Sequence, residues 1–177
     1  MNLEEELLRQ QSKTHSEIIA AWIGDRQKQF DDLMKILIGS DETAARRASW
    51  TMCHCLEVYP QLGATHMESL IKVLDNKTTH GALRRHAARI LQTLPLPEDL
   101  MARIFDSCLN ALNDLDEPIA VRVYCMTTLA RICGDFPELS NEVILAIAQG
   151  MPHGTTAYKA RGRMALRDLE KTKKRAI

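Results

Sequence analysis

Aromatic side chains are scarce in this chain: two Trp, three Tyr and three Phe among 177 residues. A groove that stacks the bases of single-stranded nucleic acid draws on such rings, and few are available. Charge of one sign is missing too. Lys plus Arg and Asp plus Glu are equal at 23 each, so net charge makes no case for a nucleic-acid or membrane partner. No apolar run approaches the roughly 20 residues that span a bilayer. Runs of β-branched residues with alternating polarity are rare, which argues against sheet. The composition predicts an all-α protein.

Catalytic signatures are equally thin. Gly-x-Ser-x-Gly, a phosphate-binding loop and Gly-x-Gly-x-x-Gly are all absent from the sequence, so nucleophilic or nucleotide chemistry is not expected. Cysteines number five, at 53, 55, 108, 125 and 133, an odd and scattered set. The opening Met1-Asn2-Leu3-Glu4-Glu5-Glu6 is acidic where a secretory segment would be basic. Together these predict reduced thiols in a cytoplasmic protein. Cys53-His54-Cys55 looks like a ligand set, but on a helix i and i+2 point to different sides, and zinc sites use Cys-x₂₋₄-Cys pairs. Cys53, Cys125 and Cys108 read as small core fillers. His86, beside Arg85, reads as a surface histidine. The expectation is no metal, no cofactor and no catalytic residue.

What the sequence does have is a repeat. In Glu117–Leu139, Asp116 can cap a helix and Pro118 suits its first turn. Val121, Cys125, Leu129 and Ile132 form one apolar stripe, and Gly134 and Pro137 stop it. The same design recurs from Ala45-Arg46 (Ser49, Cys53, Leu56), from Leu83-Arg84 (Ala87, Leu91, Leu94) and from Tyr158-Lys159 (Gly162, Leu166, Leu169). The four starts, at 45, 83, 121 and 158, are 38, 38 and 37 residues apart. A shorter apolar helix precedes each: Phe30–Ile38, Met67–Leu74, Leu100–Leu112 and Val143–Ala148. Tyr59-Pro60-Gln61-Leu62 and Phe136-Pro137-Glu138-Leu139 are near-identical exit turns. Helix pairs at a fixed interval cannot bury their apolar faces alone, so they stack.

The second-helix pattern (Val/Leu/Ala)-(Arg/Lys)-x-x-small-x-x-x-Leu-x-x-Leu resembles the HEAT repeat and its armadillo relatives, over roughly residues 26–172. With its Trp-Ile-Gly-Asp at 22–25 and Tyr-Lys-Ala-Arg-Gly-Arg at 158–163, the chain is also similar to small HEAT-repeat proteins of Bacteroidetes-type bacteria. The resemblance implies a right-handed α-α superhelix, a solenoid of about four helix pairs. Residues 1–25 would form an N-terminal helical cap, 26–172 one continuous repeat domain and 173–177 a basic C-terminal tail. Thr14 or Ser16 would cap the second helix, Asp25 the third, and Thr155 or Thr156 the last.

Two sets of polar residues follow. Arg46, Arg84, Arg122 and Lys159 repeat one residue after each stripe begins. They would either form a structural ladder with neighbouring acids such as Asp41, Asp75, Asp114 and Asp116, or read an acidic partner. A second set lies across the helix from the stripe: Arg47, Thr51, His54, Arg85, Arg89, Gln92, Thr127, Arg131 and Arg167, with Met164 beside the last. In such a solenoid the second helices line the concave side, so this set would meet a ligand, or simply face solvent. The implied function is a non-catalytic scaffold that binds a protein partner there. A nucleic-acid-binding module, conceivably with DNA-repair chemistry, is the alternative; Trp50 and Tyr124 are its candidate stacking rings. No membrane partner is expected. The chain would be a monomer, or a homodimer through an end of the solenoid where Trp22 or Leu7-Leu8 is left open.

Overall fold

A computed structural model describes residues 2–175. Among them are ten α-helices, three 3-10 turns and no strand. The chain forms two compact units, Met1–Ile90 and Leu91–Ile177.

The first unit contains α1 (Leu3–Arg9), α2 (Lys13–Ile23), α3 (Gln27–Leu37), α4 (Glu42–Val58), α5 (Met67–Asp75) and most of α6 (Gly81–Leu91). Helix α4 is its hub and packs on α1, α2, α3 and the 3-10 turn Pro60–His66. Its Ala45, Ser49, Cys53 and Leu56 are buried, as the stripe predicts, together with Phe30, Leu33, Met34 and Leu37 of α3. Ile38 departs from that face and is 59% exposed, because α3 has already ended at Leu37. The true cap of α2 is Ser12, whose hydroxyl accepts from the His15 N–H at 3.1 Å, rather than Thr14 or Ser16. Nor does Asp25 cap α3, whose N-cap residue is Arg26 with no side-chain bond. Asp41 caps α4 through Ala44 N–H at 2.8 Å.

The second unit holds α7 (Met101–Asn113), α8 (Ile119–Asp135), α9 (Ser140–Gly150) and α10 (Thr156–Arg175). Here α8 is the hub, against α7, α9 and α10. Val121, Cys125, Leu129 and Ile132 are all at most 1% exposed. All five cysteines are buried, and burial pushes the Cys53 and Cys55 thiols up to about 12. They are inert fillers. Thr155 caps α10, its hydroxyl accepting from the Tyr158 N–H at 3.3 Å. The basic segment from 173 continues α10 as far as Arg175, and Lys173 donates to the Asn141 amide oxygen at 2.6 Å. Its last two positions, 176 and 177, lie outside the described residues.

The 38-residue period is visible atom by atom. After α5, Asn76 accepts through its side chain from Thr78 N–H at 3.0 Å, and Thr79 N–H donates to Asn76 O at 3.0 Å. After α7, Asp114 accepts from Asp116 N–H at 3.0 Å, and Glu117 N–H donates to Asp114 O at 3.2 Å. An Asx turn thus leads from the first helix to the second in both copies. It also explains why Asp116 does not cap α8: Asp114 organises the turn, and Pro118 occupies the N-cap position. The exit turns match as well. Tyr59 and Phe136 have φ/ψ of −126/68 and −125/74, and each carbonyl accepts at 3.1 Å from the leucine three residues on.

Candidate functional site

The last carbonyls of an α-helix have no partner within the helix, and a cation is favoured there. Much of this chain's arginine serves those ends. Arg84 donates through Nε to Leu74 O at 3.0 Å, at the end of α5. Arg122 does the same to Leu112 O at 3.0 Å, at the end of α7. Both donors are buried, and both acceptors lie ten residues back. Arg122 also lies over the Tyr158 ring, 4.7 Å from its centroid. An arginine-to-carbonyl tie is thus repeated at these two positions. Arg46 and Lys159 are half-buried and make no such tie among the described residues. The reason for Arg46 lies in its loop, where Ile38 replaces the Asx residue and Asp41 caps α4 instead. At the fourth position, lysine has no Nε–H fork to offer.

Several residues expected to face a ligand serve the same end. Arg47 donates to Leu7 O at 2.9 Å, closing α1. Arg131 reaches the Leu91, Gln92 and Leu94 carbonyls at 3.1, 2.6 and 2.9 Å. Thr51 is fully buried, which removes it from any binding surface. Position +6 of α4 turns toward the packed side; the solvent side of this helix carries Trp50, His54 and Glu57 instead.

What remains accessible gathers in two places, with Arg167 apart from both. On α4 and α6 of the first unit, Arg89 forms an ion pair with Glu57. His54 lies 3.9 Å from the same carboxylate, and its ring is 6.1 Å from that of Trp50. Arg85 is exposed. Glu57 went unnoticed in the sequence, because its importance comes from Arg89, 32 residues away. In the second unit, an open groove of about 170 Å³ between α8 and α10 is lined by Thr127, Ala130, Arg131, Arg161, Met164 and Asp168, among others. Met164 is 47% exposed at this groove. Gln92 is half-buried and contributes its main-chain carbonyl. Arg167 is exposed on the outer side of α10, its Nε donating to Arg163 O at 3.3 Å.

His86 overturns the expectation of a surface histidine. It is 9% exposed, and its Nδ1 lies 2.8 Å from Ser49 Oγ. Ser49 Oγ is also 2.7 Å from Arg46 O. A carbonyl only accepts, so the single hydroxyl hydrogen goes to Arg46 and His86 must donate from Nδ1. This serine therefore keeps its proton away from the imidazole, the opposite of what a nucleophile–base pair needs. Burial, then the nearby Arg85, Arg89 and His54, pull the His86 pKa down to about 4. Among the described residues no group of three or more His, Cys, Asp or Glu is placed to hold a metal ion. No helix among them is long and apolar enough to cross a membrane.

No curated protein and no solved structure matches the chain. A family model does: the HEAT repeat domain matches residues 3–162. That span takes in α1 and α2. The all-helical fold and the helix pairs at a 38-residue interval agree with that match, and the chain belongs to the HEAT repeat domain family.

Proposed function

We propose that the chain is a non-catalytic protein-interaction module of the cytoplasm that receives its partner on second-helix faces. In the first unit the contact is Arg85 and Arg89 with Trp50, His54 and Glu57. In the second it is the groove of Thr127, Arg131 and Met164. HEAT repeats are generally protein-interaction scaffolds. The observation that carries the reading is Met164, a half-exposed flexible apolar side chain beside the pre-positioned guanidinium of Arg131. An apolar anchor with fixed charge around it suits a protein surface. Phosphate recognition is less well supported, since Arg47, Arg84, Arg122 and Arg131 already donate to main-chain carbonyls.

Affinity capture from the lysate of cells that express the protein tests this. The wild type should retain a protein that both Arg85→Glu/Arg89→Glu and Met164→Asp lose, with helical circular dichroism unchanged. Equal capture by these variants would move the site elsewhere. Salt-sensitive retention on single-stranded DNA, with no protein captured, would favour the nucleic-acid alternative.

A further inference from the structure

We propose that the outer face of α10 binds the first helix pair, α1 and α2, of a second copy of this chain, giving a salt-sensitive head-to-tail assembly. Helix α10 buries Tyr158, Gly162, Ala165 and Leu169. Its opposite side carries Arg163, Arg167, Lys171 and Lys174, spaced by four, four and three and all exposed, with Glu170 among them. Alignment with α8 shows what has changed. Arg122, Met126 and Cys133 of α8 are buried, whereas the matching positions of α10 are the half-buried Lys159 and the exposed Arg163 and Glu170. A further apolar repeat has no matching surface there. A charged one does.

The complementary surface is at the other end of the sequence. Glu4, Glu5 and Leu8 are exposed on one side of α1, and Glu17 and Ile18 on one side of α2. Leu8 is 40% and Ile18 56% exposed. Residues 159–175 carry eight basic side chains against Asp168 and Glu170, while residues 2–23 carry four glutamates against Arg9 and Lys13. The zero net charge of the chain is thus divided unevenly along its sequence. The two faces differ, so the contact is heterologous and builds an open row or a ring. A lipid surface fits less well, because the exposed apolar residues beside the ridge are Ala157, Ala160 and Met164, with no exposed Trp, Phe or Leu to insert into a bilayer interface.

Sedimentation velocity on the full chain tests this across protein concentration, in low salt and near 1 M salt, where screening acts within about 3 Å. In low salt the weight-average mass should at least double relative to the 20.0 kDa chain, and fall back in high salt. R163E/R167E and E4K/E5K should each stay single, and an equal mixture of the two should associate, because each supplies the sign the other lost. The proposal is overturned if the wild type stays single in low salt at every concentration, or if either reversal associates like the wild type. Retention on heparin by a chain that remains single would assign the ridge to a foreign polyanion and equally overturn it.

Discussion

Each of the arginines that close a helix end meets an acceptor that would otherwise lack a partner, and the cost of removing such a donor is the desolvated carbonyl left behind. Arg26 differs: its Nε donates at 3.0 Å to Ile23 O at the end of α2, a carbonyl that also accepts from the Arg26 main-chain N–H at 3.3 Å, while its guanidinium lies 5.3 Å from the Trp22 ring. His86 is the other residue whose chemistry is set by burial. Its folded pKa of about 4 is below the value of about 6.5 expected in the unfolded chain. The unfolded state therefore binds the extra proton between those values, and stability falls as pH drops from about 6.5 to about 4. His86→Asn, whose amide can still donate to Ser49 but does not titrate, should flatten that part of a melting-temperature-versus-pH curve relative to wild type. Identical slopes would show that His86 does not titrate in this window. Nothing local in the sequence separates His86 from a surface histidine; its partner, Ser49, is 37 residues away on another helix.

The stripes were legible because helical periodicity is a local property, and nearly every stripe residue is buried. Leu166 is the exception and is only half-buried. Caps were less legible. Ser12, Thr14 and Ser16 are all chemically able to cap α2, and only the backbone geometry chooses Ser12. The glycines behave in two distinct ways. Gly134 was read as a helix stop, yet it lies within α8, and an added Cβ would meet nothing within 4 Å. Gly134→Ala should stabilise the protein by about 0.5–1 kcal/mol in denaturant titration, through helix propensity and a more restricted unfolded chain. Gly150 is the opposite case. A Cβ there would lie 2.1 Å from the hydroxyl oxygen of the fully buried Tyr158. Gly150→Ala should destabilise by about 1–3 kcal/mol, the scale of overpacking. Tyr158→Leu should relieve part of that strain, giving a non-additive double mutant. Additive losses would mean that Gly150 and Tyr158 do not constrain each other.

At the scale of the whole chain, the sequence's even charge count concealed a division of labour. Arg46, Arg84, Arg122 and Lys159 form one column in the sequence. In the fold only the middle two share a tie, because only their turns carry Asn76 or Asp114 in the Asx position. The candidate binding set divided similarly: Thr51 is in the core, Arg47 and Arg131 close helix ends, and Arg85, Arg89 and Arg167 keep an accessible side. Side-chain spacing predicts the face of a helix but not what a neighbouring helix places over it. That part had to come from the packing. Buried repeat arginines should therefore hold the fold, and the exposed Arg85 should add little to it. Thermal unfolding of Arg122→Ala and Arg85→Ala beside the wild type separates the two roles. Loss of a charged hydrogen bond to a buried carbonyl should lower the Arg122→Ala midpoint by roughly 3–12 °C and leave Arg85→Ala unchanged. An Arg122→Ala midpoint equal to wild type, or an equal fall for Arg85→Ala, would contradict this division of roles.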